Sequence, residues 1–173
     1  EWGEFMKLDL HVHAEERSSC SIASEIDLIE TALDYGLDGL AFTDHHRLIS
    51  QPRLKQLNKR YNPFKIFAGI EIRINSQDFL VYGVQSPKLE EEDWSYPELY
   101  NFVQDNGGAV VLAHPYRFRD ELRVDLTDCP PDAVELHSTN IRDGKTGQRL
   151  SLIDALGSQP ICNSDAHDAP DVG

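Results

Sequence analysis

Positive charge is in short supply: 16 Lys and Arg stand against 30 Asp and Glu in 173 residues, a formal net charge of −14. That balance excludes a protein that grips long DNA or RNA through its phosphates, because such binding needs clustered Lys and Arg to release counterions. An anionic membrane surface is disfavoured for the same reason. Cysteine is limited to Cys20, Cys129 and Cys162, which are far apart and form no CxxC pair. A disulfide framework is therefore not expected, and all three read as reduced, inert packing thiols. No apolar run approaches the roughly 18 residues of a membrane span. The N-terminus also lacks the basic-then-apolar order of a secretion signal, so a soluble, cytoplasmic protein is expected. Linker-like Ser/Gly/Pro tracts, repeats and low-complexity segments are missing as well, which leaves one domain over residues 6–173. At this length roughly 70% of the unfolded chain's surface can be buried. Residues 1–5, ahead of Met6, read as a vector scar. Residues 170–173 are expected to end without an element, at a point past which a natural chain can continue.

What is present is an alternation of short β-rich runs and helical patterns. Strands are expected at residues 7–13, 37–43, 64–74, 79–84, 109–113, 133–136 and 160–163, with a turn at Asn75-Ser76. Helices are expected after Ser24, an N-cap with Asp27 three residues on, and over residues 52–61, 97–105 and 148–156. Gly36 can end the first of these and Gly107-Gly108 the third. Seven strands with helices between most of them imply a mostly parallel α/β sheet, in which ligands sit at the strands' C-terminal ends.

The seven histidines sort to those ends. His11, His13, His45, His46, His114, His137 and His167 each close a predicted strand or begin the loop after it, and none lies in a predicted helix. Alternation along the first strand places Asp9, His11 and His13 on one face and Leu8, Leu10 and Val12 on the other. An HxH pair held by a strand is a chelate, and a carboxylate such as Asp9 can accept the second imidazole N–H and set the tautomer. Gly69, Glu71 and Arg73 share a face of the third strand, with a buried-looking glutamate that needs a partner or a metal. Asn163, Asp165 and His167 share one near the last strand. Taken singly, each has a bland reading: solvated histidines, Asp44 as a turn residue, His114 as the turn before Pro115. Together they point to a multinuclear centre of imidazole and carboxylate without thiolate, suited to Zn, Mn or Fe and unlike a closed structural zinc finger.

The motifs Asp9-Leu10-His11-Val12-His13, Thr43-Asp44-His45, Gly69-Ile70-Glu71, Ala113-His114-Pro115 and Ser164-Asp165-Ala166-His167 resemble, in order, those of the PHP (polymerase and histidinol phosphatase) domain. The resemblance implies a distorted seven-stranded (β/α) barrel and a metal-dependent phosphoesterase. It implies His11, His13, Glu71 and Asp165 around a first ion, Glu71 and His114 at a second, and His45 with His167 at a third. Two departures stand out. Residues 14–19 carry no Asp or His where the family usually has a ligand, unless Glu15 or Glu16 reaches in. Residues 79–83 carry no His on the strand after the glutamate, Asp78 being the nearest ionisable group. His137 compensates from another strand, or serves as a substrate contact.

The expected mechanism is in-line attack on phosphorus by a hydroxide bridging two or three divalent ions. His46 or His167 protonates the leaving oxygen. Arg117 and Arg142 are placed either to fork onto phosphate or to lie solvated. A small phosphomonoester or nucleotide-type substrate is expected, with specificity in residues 85–96 and 116–131 and the acidic run at 90–93 as a solvated loop. Two alternatives remain. One is an amidohydrolase-type C–N hydrolase, against which no lysine stands at a matching strand end. The other is a PHP-like regulatory or binding module without catalysis.

Overall fold

Three serines start three helices. In the computed structural model, which describes residues 5–91, 93–142 and 144–173, Ser24 Oγ accepts from Asp27 N at 3.2 Å ahead of α1 (Glu25–Asp34). Ser50 Oγ accepts from Arg53 N at 3.4 Å ahead of α2 (Gln51–Arg60), with Pro52 in the first turn. Two further helices follow, α3 (Lys88–Glu91) and α4 (Tyr96–Asp105), and Ser95 N donates to Glu98 Oε2 at 3.1 Å to open the latter. Each side chain satisfies a group that the first helical turn leaves unpaired. The last helix, α5 (Thr146–Leu156), ends on Gly157 in the left-handed conformation, φ +67°.

The strands are β1 (Leu8–Val12), β2 (Gly39–Phe42), β3 (Lys65–Ile74), β4 (Gln77–Tyr82), β5 (Ala109–Ala113), β6 (Ala133–His137) and β7 (Gln159–Cys162). They lie in chain order in one seven-stranded sheet, parallel except where β4 runs antiparallel to both β3 and β5. Asn75 and Ser76 make that reversal with φ of 49° and 66°, the double left-handed geometry of a two-residue hairpin turn. This is a mixed α/β fold on a curled, half-barrel sheet. Between β1 and the segment that follows β7 the described residues show one isolated parallel bridge, Val12 to Ala166, flanked by His13 N on Ala166 O at 2.9 Å and Ser164 N on Asp9 Oδ1 at 3.1 Å.

Helices cover the convex face. Ile70, Ile72, Phe79, Val81, Val110, Leu112 and Val134 pack with Leu89 of α3, Leu99 and Val103 of α4, and Ile153 of α5. Val12, Leu40 and Phe42 pack with Leu28, Ile29 and Ala32 of α1 and Leu57 of α2. The concave face is left for the residues in the opposite phase, and there Tyr82 reaches across from β4 so that its hydroxyl donates to Leu10 O of β1 at 2.5 Å. Gly69 makes room for it: a Cβ there would stand 2.9 Å from Thr43 Cγ2 and 3.0 Å from the Tyr82 ring.

Several expectations need correcting. Residues 1–4 of the stretch read as a vector scar, and Glu92 of the acidic run, lie outside the described residues. Glu90 is not simply solvated: it ends up in α3 and accepts from Leu48 N at 2.7 Å. The C-terminus does form an element, a 3₁₀ turn at Ala169–Asp171, because Val172 is buried and Gly173 N donates to Asp9 Oδ2 at 3.1 Å. Of the cysteines only Cys129 packs against the core, whereas Cys20 and Cys162 are exposed. No helix among the described residues is long and apolar enough to cross a membrane.

Candidate metal centre

The concave face and the strand ends bring six of the seven histidines into a shared neighbourhood, five of them in tight clusters. His11 of β1 and His13 just past its end are fully buried, with ring centroids 5.0 Å apart. Glu71 of β3 is their hub. Its Oε1 lies 3.6 Å from His11 Nε2 and 3.2 Å from His114 Nε2, and its Oε2 lies 3.3 Å from His13 Nε2 and 2.8 Å from His45 Nδ1. Asp165 stands opposite, with Oδ1 3.2 Å from His11 Nε2 and 3.3 Å from His13 Nε2. The rings of His45 and His167 stack on His13 at 4.5 and 4.4 Å.

Four sets of donor atoms each fall within 4.8 Å of one another: His11, His13 and Glu71; Glu71, Asp78 and His114; His11, His114 and Asp165; and His13, His45 and His167. These sets differ from the expected groupings: Asp165 falls with His11 and His114 rather than with His11, His13 and Glu71, and His13 joins His45 and His167. Asp78, noted only as the nearest ionisable group, joins Glu71 and His114, while Arg73 clamps its two oxygens at 2.6 and 2.9 Å.

Two of the tautomers are set by groups other than the clustered donor atoms. His11 Nδ1 and Glu135 Oε1 are 3.0 Å apart, so an Nδ1–H donated to the carboxylate leaves Nε2 free toward the centre. His167 Nδ1 lies 2.9 Å from Asp165 O, the same arrangement. Glu135 is thus the functional residue that sequence reasoning missed. Asp9, expected in that role, accepts instead from the amides of His11 at 3.3 Å, Ser164 and Gly173, fastening the two ends of the chain. Asn140 also escaped notice, and it donates to Asp165 Oδ2 at 3.1 Å.

Electrostatics follow from burial and neighbours. Burial opposes protonation of His11, but Glu135, Asp165 and Glu71 outweigh it and hold its pKa well above the ordinary value. Burial keeps His13 below it. Burial pushes the Glu71 carboxyl up, and the charge of His11 with the close imidazoles of His11, His114 and His45 overrides this, holding it well below the usual range. Asp165 is lowered in the same way, against burial, by the charge of His11 and by the close imidazole of His13.

Despite this crowding, His11 Nε2, His13 Nε2 and Glu71 Oε2 are buried without a hydrogen-bond partner. They stand at ion-pair distance from the imidazoles and carboxylates around them. Buried polar atoms left so are costly, and a divalent ion on imidazole and carboxylate ligands satisfies them, so these residues fit a metal.

Other expected residues go elsewhere. Glu16 turns away and accepts from Glu25 N at 3.0 Å at the start of α1. Asp44 is a brace, accepting from Ala14 N at 2.8 Å, Ser18 Oγ at 2.9 Å and Arg17 Nε at 2.6 Å. His137 is exposed and in none of the clusters. His46 is exposed at φ 52°, its Nε2 accepting from Arg73 N at 3.4 Å at the rim. Arg142 is exposed and donates to Thr139 O at 3.3 Å. Arg117 does reach the centre, with Nη1 on Asp165 Oδ2 at 3.0 Å. Left-handed backbone at the non-glycine residues His46, His114, Tyr116 and Asp165 concentrates strain at this rim, as functional sites do.

These features can be set beside known proteins. An uncharacterized protein of Methanocaldococcus jannaschii is 25% identical over 153 residues, 80% of this chain and 85% of that one. A candidate metal-dependent phosphoesterase from Bifidobacterium adolescentis has the same fold, with a TM-score of 0.74 at 12% identity, covering 95% of this chain and 88% of that one. An amidohydrolase from Chromobacterium violaceum, solved with bound sulfate and no metal, gives 0.73 at 14% identity, covering 96% and 90%. The family model described as PHP domain matches residues 9–125, from the aspartate before the HxH pair to well past His114. By that match, which takes in most of the chain, this protein belongs to the PHP domain family.

Proposed function

We propose that this protein is a metal-dependent phosphoesterase, a hydrolase of a small phosphomonoester or nucleotide-type substrate, with two or three divalent ions drawn from Zn, Mn and Fe. The carrying observation is the convergence of His11 Nε2, His13 Nε2 and Glu71 Oε2, buried and unpartnered. Bound divalent ions supply a water of lowered pKa and positive charge for the phosphoryl oxygens. The protein's own part is positional. Glu135 and the Asp165 carbonyl hold the His11 and His167 tautomers with Nε2 facing inward. Arg117, anchored on Asp165, keeps further guanidinium N–H groups for a substrate phosphate. The buried Arg149 supports that loop through Nε on Pro115 O at 3.1 Å.

Of the two imidazoles expected to donate the leaving-group proton, His167 is better used as a ligand beside His13 and His45. The donor role passes to His46 at the mouth. A tight pocket of about 20 Å³ beside His114 is lined by Tyr116, Arg117 and Phe118. Closure of the sheet into a full (β/α) barrel is part of the same proposal, supported by the Val12–Ala166 bridge.

A second reading, C–N hydrolysis, draws on the fold shared with the Chromobacterium violaceum amidohydrolase. Metal analysis of the purified protein with turnover assays on phosphate esters and on amides, each with Zn, Mn and Fe in turn, separates the readings. Phosphate release that depends on bound metal supports the proposal. Amide turnover alone supports the second reading, and bound metal without any turnover makes the chain a binding module.

A further inference from the structure

The loop that follows β5 brings an exposed aromatic ring to the metal centre. His114 and Tyr116 take left-handed backbone, φ 28° and 66°, on either side of Pro115, and Arg117 N donates to His114 O at 3.3 Å. That turn sets Arg117 and Phe118 beside His114, and all three line one crevice with Asp78. Two cations hold the turn by its carbonyls. Arg149 Nε donates to Pro115 O at 3.1 Å, and Lys145 Nζ donates to Tyr116 O at 2.9 Å and to Arg119 O at 3.1 Å. One ammonium group thus ties the chain on both sides of Phe118. A backbone already fixed loses less freedom when a ligand binds.

Phe118 is nevertheless 73% exposed. A lone phenylalanine on a protein surface is ordinary, but this one is placed by a chain of contacts. The Arg117 guanidinium carbon lies 4.7 Å from the ring centroid, a cation–π contact. Arg117 Nη1 donates to Asp165 Oδ2 at 3.0 Å, and the other oxygen of Asp165 stands 3.2 Å from His11 Nε2. A single arginine side chain therefore links the ring to the donor atoms of the centre. The crevice itself holds about 20 Å³, room for one water-sized atom. A phosphoryl oxygen fits between His114 and Arg117, and no larger part of a substrate does. The organic part of a phosphate bound there stays outside, where Phe118 offers a flat apolar surface. Stacking on such a surface is directional and suits any planar ring, because each has a π-face.

We propose that Phe118 is a specificity-determining residue, a stacking platform that selects phosphate monoesters whose leaving group carries a planar aromatic ring close to the phosphate. This inference rests on the phosphoesterase reading above and narrows it, placing ring-bearing esters ahead of open-chain and simple sugar phosphates. Arg117 joins the two parts of such a substrate. Its Nη1 stays on Asp165, its face holds the Phe118 ring, and its remaining N–H groups meet the phosphate. Arg119 adds a second cation to the same lining.

The test is calorimetric binding of phenylphosphonate and of cyclohexylphosphonate to protein reconstituted with Mn. The two probes share their charge, are close in size, differ in planarity and have a C–P bond that a phosphoesterase does not hydrolyse. Wild type should bind the phenyl compound at least about fivefold more tightly, the lower end of a stacking contact. Phe118→Ala should bring that ratio to about one, and so should Phe118→Leu, which is apolar but has no π-face. Phe118→Trp should keep it. Each ratio is taken within one sample, so a folding or loading defect in a variant cancels from it. A wild-type ratio near one, or a ratio that survives in Phe118→Ala or Phe118→Leu, overturns the inference. Turnover of phenyl phosphate is followed on the same samples. Ring preference without turnover leaves the platform standing and overturns the hydrolase reading, whereas turnover without ring preference does the reverse. Failure of both phosphonates to bind overturns both.

Discussion

Glu71 touches four imidazoles, and no other residue of the centre does so. Glu71→Gln keeps the shape and removes the charge, so metal content by elemental analysis should drop by at least one ion per chain and turnover should disappear. A variant with full metal and full activity contradicts the assignment. Glu135→Gln is a subtler probe, because an outer partner that orients a ligating imidazole is worth about 10- to 100-fold in metal affinity. A competition titration with a chromophoric chelator reads this directly, and unchanged affinity removes Glu135 from the account. His11, His13, Glu71, Asp165 and His167 were legible as neighbours because strand phase and the family motifs agree on them, and His45 and His114 through their motifs and strand-end positions alone. Glu135 and His137 were not, for one shared reason. Simple alternation puts both on the same face of β6, but the pairing register shifts between Glu135 and His137. Such an irregularity re-aims the residue after it. Glu135 therefore looks inward and His137 faces solvent. A lone carboxylate between Val134 and Leu136 was the available signal. Asp44 misled because a buried turn carboxylate next to a histidine is equally suited to bracing Arg17.

At the scale of elements, the seven strands and the four longer helices were readable because their signals are local: serine caps, a left-handed Asn-Ser turn, and glycines after helix ends. The short α3 and the C-terminal 3₁₀ turn were not. Four residues of helix or three of 3₁₀ carry no periodicity, and the C-terminal turn is held by Asp9, 164 residues away in the chain. The curl of the sheet is likewise a tertiary property, and Tyr82 is its test. Tyr82→Phe leaves Leu10 O without its donor, which should cost about 1–3 kcal/mol in urea denaturation. Gly69→Ala forces a Cβ against Thr43 and the Tyr82 ring, an overpacking expected to cost roughly 1–3 kcal/mol. Wild-type stability in either variant contradicts the close packing of the concave face.

For the whole molecule, the charge of −14 surrounds a buried pocket whose donors await cations. The protonation states give stability an expected pH dependence. His11 has its pKa raised on folding, so its contribution in the metal-free protein is fully present below the ordinary 6.5 and is lost as pH rises through the raised value. Glu71 and Asp165 have lowered values, so theirs is present above the ordinary carboxylate range and is lost only as pH falls through the folded values. Metal-free protein should therefore melt at lower temperature on the alkaline side. Metal-loaded protein should not, because ions bind the neutral imidazole and their affinity climbs with pH. Thermal melts with and without Zn across that range check this, and parallel curves contradict it.

The most direct test of the central claim is phosphate release by chelator-treated protein, reconstituted in turn with Zn, Mn and Fe, on a panel of small phosphate esters, with metal per chain measured on the same samples. The account predicts at least two ions per chain and hydrolysis of at least one ester that appears only with metal and is absent in Glu71→Gln. Hydrolysis that persists without metal, or full metal loading with no ester hydrolysed, would contradict it.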